Sequence, residues 1–256
     1  MMERMTAVAG SFYPSDPEDL RRVISDYLAR ANPEMPKGKL HGIIVPHAGY
    51  VYSAPVAAYG YKLLQNAKIS DRIIILGPSH YAMFPGLSES GYPSWRTPFG
   101  ETETFSIKLP AFPPAHEPEH SLEVQLPFLQ HVLEGKKFLI DPILTGEIAP
   151  KEGAALLERS ARDCFFVISS DLSHYMPYTT AVTRDRVSIS LMEALDVDGF
   201  VKNGDACGKT GIAIMMALAK KKGWEIKKLR YANSGDTAGP KDSVVGYAAL
   251  AIVEGK

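Results

Sequence analysis

Short apolar runs alternate with longer amphipathic segments along most of the chain. The runs at 43–45, 73–76 and 165–168 are too short and too uniformly apolar for half-exposed strands, so they predict strands covered on both faces. Segments with helical spacing separate them, which is typical of a mainly parallel or mixed sheet with helices on both faces. The pattern predicts an α/β fold, and no linker-like stretch divides residues 1–256 into two domains.

Several elements also carry local signals. Asp16 and Pro17 predict the start of a helix, because Asp is a common N-cap and Pro fits the first helical position. Residues 85–119 are rich in Pro, Gly and Ser and predict a long loop, interrupted by a strand over 105–109. Ser121 opens a predicted helix that runs through Leu133, and Pro127 inside it predicts a kink or a break. Further helices are predicted over 151–162, 182–195 and 209–222, and further strands over 138–140, 226–231 and 244–253.

Three predicted strands end close to a histidine. The segments IIVPH, IIILGPSH and FFVISSDLSH place His47, His80 and His174 within a few residues of a buried run. Ligands of open α/β sheets bind outside the carboxyl ends of the strands, so parallel strands would bring these side chains to one edge. A single histidine at such a place is more often an ordinary surface residue, but three together favour a shared pocket. Aromatic residues that would suit its wall follow each one: Tyr50 and Tyr52, Tyr81, and Tyr175.

The other histidines lie in different surroundings. His41 begins a strand, His116 lies among prolines and acids, and His131 lies on the helix after the proline break, so all three are predicted to be solvated. His120, in the segment PEHSLE with Glu123 nearby, either caps a helix or reaches the pocket.

Composition narrows the classes of function. With 45% hydrophobic and 22% charged residues, the chain can bury a full core without disulfides or a structural metal. A net charge of -1 supplies no basic face for nucleic acid. No apolar run approaches the roughly 18 residues that a membrane span needs, and the first residues have no apolar signal region, so a cytoplasmic protein is expected. The segment GDACGKT misses the phosphate-loop spacing by one residue, which argues against a nucleotide cofactor.

The two cysteines are too few for a disulfide framework. Cys164 leads into a buried run and is predicted to lie in the core. Cys207 precedes the helix over 209–222, where the helix dipole favours a thiolate. It is therefore either a metal ligand or a small buried hydrophobe.

Six blocks of sequence resemble the Memo family across nearly the whole chain. In order they are AGSFYP, VPHAGYVYS, ILGPSH, EHSLEVQLPFL, SSDLSHY and the Cys207-Gly208 pair. Prokaryotic members of this family are often labelled AmmeMemoRadiSam system protein B. The family is similar in fold to the class III extradiol ring-cleavage dioxygenases, so the resemblance implies one domain with a central sheet flanked by helices.

The resemblance also implies roles for particular residues. It makes His47, His80 and Cys207 the metal ligands, with His174 as a general acid or base that Asp171 orients. The related dioxygenases hold iron with two histidines and one carboxylate, and Cys207 stands in the place of that carboxylate. A thiolate suits iron, copper or zinc, of which iron or copper is expected ahead of zinc.

Five further residues are expected to line or support the substrate pocket: Phe12, Tyr50, Tyr52, His120 and Glu123. Phe12 stands where family members often carry Trp, which keeps an aromatic ring but removes the indole N–H. His120 and Glu123 would fix the orientation of ligand rings or line the cavity.

The expected function is that of a dioxygenase-like oxidoreductase that uses non-haem iron or copper and acts on an unidentified small molecule. Two alternatives remain open. In one, the same histidines form a binding module for a phosphorylated or anionic peptide. In the other, the site is that of a hydrolase with a zinc-bound water. A homo-oligomer also remains open.

Overall fold

The computed structural model describes residues 3–255 and has a seven-stranded mixed sheet at its centre. The sheet strands are β1 (Leu40–Val45), β2 (Arg72–Pro78), β3 (Leu87–Glu89), β6 (Leu139–Thr145), β7 (Phe165–Ser169), β8 (Trp224–Asn233) and β9 (Gly246–Glu254), while β4 (Ser94–Thr97) and β5 (Gly100–Glu103) form a separate ribbon. Their order is β3-β6-β2-β7-β1-β9-β8. The four strands from β6 to β1 are parallel, and β3, β9 and β8 each run antiparallel to a neighbour. The predicted single α/β domain with a mixed sheet is confirmed.

Helices cover both faces of this sheet. They are α1 (Pro17–Arg30), α2 (Tyr50–Leu64), α3 (Pro113–His116), α4 (Leu126–Val132), α5 (Pro150–Ser160), α6 (Tyr178–Glu193), α7 (Val197–Asn203), α8 (Lys209–Lys222) and α9 (Ser234–Thr237). One apolar core lies between the sheet and α1, α2 and α4, and a second lies between the sheet and α5 to α8. In β1, Ile43 and Val45 pack into the first core and Ile44 into the second. The central strands therefore read as uninterrupted apolar runs because neither face meets water.

Two helix boundaries follow the local signals in the sequence. Asp16 caps α1, because its Oδ1 accepts the N–H groups of Glu18 and Asp19 at 2.9 Å each. The break at Pro127 is also confirmed, since a 3-10 turn (Glu123–Gln125) precedes α4 and Pro127 lies in the first turn of that helix. Within residues 3–255, no helix combines the length and apolar character that crossing a bilayer requires.

The predicted strand over 105–109 is wrong. Its first residue, Phe105, donates its N–H to the carbonyl oxygen of Ile140 at 2.9 Å, as an added strand would. Ile107 and Leu109 instead donate to the carboxylate of Glu89, at 2.8 and 3.0 Å. A buried side chain from β3 thus replaces the backbone partner that a strand would need, and the segment stays irregular.

Glu89 shares this buried position with a second carboxyl group, that of Asp141 on β6. The N–H of Ile107 lies 3.1 Å from Asp141 Oδ2, and the Asp141 side chain is 1% exposed. Burial and the nearby charge of Glu89 raise the pKa of Asp141 to about 8, against the opposing effect of Arg72. Asp141 is therefore protonated at neutral pH and can donate a hydrogen bond to Glu89.

This protonation makes stability depend on pH. The ordinary pKa of the carboxyl is 3.8, so between about pH 4 and 8 the unfolded chain has released a proton that the folded protein keeps, and stability falls as pH rises through that window. Asp141→Asn is neutral at every pH and keeps the hydrogen bonds. We expect it to be more stable than the wild type by about 2 kcal/mol or more at pH 9, with the difference vanishing below pH 4.

Urea unfolding at several pH values measures this effect. Asp26→Asn, on the exposed face of α1, is the matched control and should follow the wild-type curve. A constant difference between Asp141→Asn and the wild type across this range would contradict the assignment of a raised pKa.

Candidate metal centre

Sheet order brings the ends of three strands together. β7 lies between β1 and β2, all three are parallel, and His47, Asp171 and His80 each lie two residues beyond the end of their strand. The ring centroids of His47 and His80 are 5.4 Å apart. Parallel pairing has therefore placed these side chains at one edge of the sheet, where ligands of such folds bind.

The side chain of Cys207 lies close to both histidines. Its Sγ lies 3.2 Å from His47 Nε2, and one donor atom from each of His47, His80 and Cys207 lies within 4.8 Å of the others. The next residue, Gly208, has no room for a side chain, because a Cβ there would lie 2.8 Å from the carbonyl oxygen of Ser169. The start of α8 therefore packs directly on the end of β7, and this close approach holds Cys207 against the histidines.

Glu119 orients His80, and sequence reasoning missed it. Its Oε1 lies 2.9 Å from His80 Nδ1, and its Oε2 accepts the backbone N–H of His80 at 2.6 Å. Oε1 also accepts the N–H groups of His120 and Ser121 at 2.9 Å each. Burial opposes ionisation of Glu119, but the hydrogen bonds from His80 and Ser121 outweigh it and lower the pKa to about 2. A carboxylate only accepts, so His80 carries a proton on Nδ1, and in its neutral form it presents a free Nε2 lone pair.

Glu123, the acid that the sequence suggested for the pocket, forms hydrogen bonds with the N-terminal segment. It is 0% exposed and accepts the N–H groups of Ala7 and Val8 at 2.7 and 3.1 Å, the hydroxyl of Tyr13 at 2.6 Å, and the guanidinium of Arg4. These contacts tie the N-terminal segment to the chain before α4. All these hydrogen bonds lie on that segment, and the lining of the pocket by Glu123 stays a prediction.

The electrostatics around Cys207 also differ from the expectation. Burial, reinforced by the charge of Asp171, raises the pKa of the Cys207 thiol to about 12, so desolvation outweighs the helix dipole. Its Sγ accepts the backbone N–H of Asp171 at 3.2 Å. Burial raises the pKa of Asp171 itself to about 6, against hydrogen bonds from the N–H groups of His47 and Ala48. Cys207 is a thiol unless a cation displaces its proton.

His174 lies in the loop after β7, beside the cluster. It lies close enough to lower the pKa of both His47 and Asp171. Its Nδ1 lies 2.8 Å from the carbonyl oxygen of Leu172, so Nδ1 carries the proton and Nε2 is free to exchange one. The Leu172 carbonyl thus accepts the His174 proton that Asp171 was expected to accept. Asp171 Oδ1 instead accepts the N–H of His47 at 2.8 Å. The loop is pinned by the N–H of Ser173, which donates to Asp185 at 3.0 Å.

Phe12 and His120 form a wall beside His80. The His120 ring stacks on His80 with centroids 4.7 Å apart, and the Phe12 ring is tilted against His120 with centroids 4.9 Å apart. His120 Nδ1 lies 3.3 Å from Glu119 Oε1, without the geometry of a hydrogen bond. His120 and Phe12 therefore lie beside a member of the cluster, and their contacts with a substrate stay a prediction.

The tyrosines of the predicted wall separate into two groups. Tyr50 is 2% exposed, and its hydroxyl donates to the carbonyl oxygen of Val124 at 2.8 Å. Tyr50 packs in the core, and its role in substrate binding stays a prediction. Tyr52, Tyr81 and Tyr175 are 40%, 60% and 78% exposed and remain available to a ligand.

The prediction that three other histidines are solvated is wrong for His116. It is 0% exposed, its Nε2 lies 3.1 Å from the carbonyl oxygen of Ser88, and burial lowers its pKa to about 4. His131 is half-buried, and His41 stacks on Trp224 at 4.0 Å. Local sequence patterns do not show this packing, because the partners of these histidines are far from them along the chain.

A cleft of about 1000 Å³ lies at the other end of the parallel strands, lined by residues that include Leu40 of β1 and Phe165 of β7. Cys164, which is buried as predicted, also lines it. His47, His80, His120 and His174 do not line it. The volume of a cleft therefore does not by itself indicate where the candidate functional residues lie.

The fold and the cluster define an α/β protein in which two histidines and one cysteine at the carboxyl edge of the parallel strands lie close enough together to hold a metal ion. The sequence model of the family described as Memo-like protein matches residues 4–251. A MEMO1 family protein of Sulfolobus acidocaldarius is 37% identical over 97% of this chain and 99% of its own length. MEMO1 family proteins of Methanopyrus kandleri and Thermoplasma volcanium are 36% and 37% identical, over 99% and 97% of this chain and 100% and 98% of their own lengths. The chain belongs to the Memo family.

Substitutions should distinguish the roles of the two buried glutamates, Glu119 and Glu123. Glu119→Gln removes the charged acceptor of His80 Nδ1–H, so we expect the affinity of the cluster for a divalent metal to fall roughly 10- to 100-fold. Glu123→Gln leaves Arg4 buried without its counter-charge, so we expect a loss of about 3–5 kcal/mol in the free energy of unfolding with unchanged metal affinity.

Anaerobic calorimetric titration with Fe²⁺ and urea unfolding measure the two effects on the same preparations. Glu123→Gln serves as the control for loss of a buried carboxylate, provided that it is titrated at a temperature where it is folded. Equal metal affinities for Glu119→Gln and the wild type would contradict the role given to Glu119.

Proposed function

We propose that this protein is a metal-dependent oxidoreductase for a small organic molecule, with iron or copper held by His47, His80 and Cys207. The observation that carries the proposal is the convergence of their donor atoms within 4.8 Å. Around this cluster, both histidines have Nδ1 engaged by an outer partner, Glu119 or Ser169. That is the usual arrangement of metal-binding histidines.

The donor chemistry fits such an ion. Two imidazole nitrogens and one sulfur suit iron, copper or zinc, and three protein ligands would leave coordination positions open. A metal ion would take the place of the thiol proton of Cys207, which burial otherwise retains. Bound iron or copper would supply redox chemistry, whereas zinc would not. A reducing compartment such as the cytoplasm would keep Cys207 available as a ligand.

The residues around the cluster would handle the substrate and its protons. His174 presents a free Nε2 with Nδ1 anchored on the Leu172 carbonyl, which suits a general base that takes a proton from a substrate hydroxyl and returns it later. Phe12 and His120 offer a ring surface for an apolar part of the substrate, beside His80. Asp171 holds the backbone of His47 in place and so supports the metal position indirectly.

Metal analysis tests the ligand set directly. We expect untagged protein, purified anaerobically, to contain about one iron or copper ion per chain, and His47→Ala and Cys207→Ser to lose most of it. His131→Ala, on α4, is the control and should keep the wild-type content. Unchanged metal in His47→Ala would exclude the proposed site.

The proposed role of His174 in proton transfer can be tested separately. His174→Gln should keep its metal content and lower the rate of oxygen uptake with a reactive phenolic substrate by about 10²- to 10⁴-fold, because the proton acceptor is lost. A panel of phenols, with uptake followed at an oxygen electrode, measures this effect.

Turnover that proceeds without oxygen would indicate a hydrolase. Anionic-peptide binding that survives metal removal but not His80→Ala would indicate a binding module.

A further inference from the structure

A chain of four buried side chains leads from α2 to the candidate metal ligands. Tyr61, Gln125, Ser169 and His47 are connected in that order by hydrogen bonds and are 0%, 1%, 0% and 2% exposed. Because no water-exposed rotor interrupts this chain, the direction of each bond can be deduced from its neighbours.

The amide of Gln125 is oriented by two partners that leave no choice. Its Nε2 lies 2.9 Å from the carbonyl oxygen of Pro46, which can only accept, so this end of the amide is the NH₂ group. Its Oε1 accepts the hydroxyl of Tyr61 at 2.8 Å. The NH₂ group therefore also donates to Ser169 Oγ, at 2.7 Å.

Ser169 has a single proton, and that proton is already committed. Its Oγ lies 2.6 Å from the carbonyl oxygen of Ser121, to which it must donate, and it accepts from Gln125. The third partner, His47 Nδ1 at 2.9 Å, can then only be a donor. His47 consequently carries its proton on Nδ1 and has a lone pair on Nε2, the atom 3.2 Å from Cys207 Sγ.

We propose that Ser169 and Gln125 are positioning residues that fix the tautomer of His47, so that Nε2 presents its lone pair to the cluster. The use of that lone pair for a metal rests on the proposed function, but the tautomer is a property of the metal-free chain. In that state the Cys207 thiol donates its S–H to the same nitrogen.

The two ligand histidines thus receive the same tautomer by different means. His80 donates Nδ1–H to the charged Glu119, whereas His47 donates to the neutral hydroxyl of Ser169. The Ser169 proton is directed at the Ser121 carbonyl, and the Gln125 amide, oriented by the Pro46 carbonyl, donates to the same oxygen. The neutral acceptor suits this place because the carboxyl of Asp171 contacts the backbone of His47. A second carboxylate here would add repulsion in a buried site.

Nitrogen NMR of the metal-free protein tests the tautomer itself. With ¹⁵N-labelled histidine, the ring signals of His47 are those absent from His47→Ala, and long-range proton–nitrogen correlations distinguish Nδ1–H from Nε2–H. We expect Nδ1–H in the wild type and in Ser169→Thr, which keeps the hydroxyl, and loss of this preference in Ser169→Ala. A wild-type spectrum with the proton on Nε2 would overturn the inference even if every variant fails to fold.

Metal affinity provides the second readout. We expect Ser169→Ala to bind Fe²⁺ about 10-fold or more weakly than the wild type, with Ser169→Thr restoring the affinity. Ser53→Ala is the matched control: its hydroxyl is also buried and bonded to a backbone carbonyl, that of Ala48 at 2.6 Å, but lies outside the chain of four. Loss of affinity in Ser53→Ala equal to that in Ser169→Ala would show a structural effect and reject a positioning role.

The two experiments also separate this inference from the proposed function. A wild-type protein that shows Nδ1–H on His47 but binds no metal would remove the proposed function and leave the tautomer assignment in place. A protein that binds metal with Nε2–H on metal-free His47 would do the reverse.

Discussion

Parallel pairing of β1 and β2 on either side of β7 is the constraint on which the candidate site depends. Because both faces of these strands are buried under helices, polar side chains can occur only where the strands end, and parallel strands end together. His47, His80 and Asp171 occupy the same place relative to their strands. The apolar core that stabilises the fold thereby also concentrates the chemistry at one edge of the sheet.

Burial of so many polar groups requires partners, and these partners decide what the groups can do. Glu119 is ionised although it is fully buried, because His80 and three backbone N–H groups, that of His80 itself among them, donate to it. The hydrogen bonds to Cys207, such as that from the N–H of Asp171, do not outweigh its burial, so the thiol keeps its proton. The site therefore combines anchored histidines with a thiol that only a cation would ionise, which explains why its donors fit a metal better than they fit a free nucleophile.

Elements with strong periodicity or a local end signal were predictable. The cap at Asp16, the break at Pro127 and the helix over 209–222 depend on neighbouring residues alone, and the structure has all three. The segment over 105–109 was predicted wrongly because its backbone partner is the side chain of Glu89, far from it in sequence. The hydrogen-bond partners of Tyr50 and Glu123 likewise come from other parts of the chain, so local patterns do not show them.

The sequence by itself determined the alternation of strands and helices, the histidines at the strand ends and, through its motifs, the family. These follow from periodicity and from residue identity, which local patterns express directly. Only the tertiary structure decided that Glu119 rather than Glu123 supports the cluster, that Cys207 is a thiol, and that Ser169 sets the proton on His47. Those properties depend on distances between residues remote in the chain and on their exclusion from water, and both arise only when the sheet and its helices pack together.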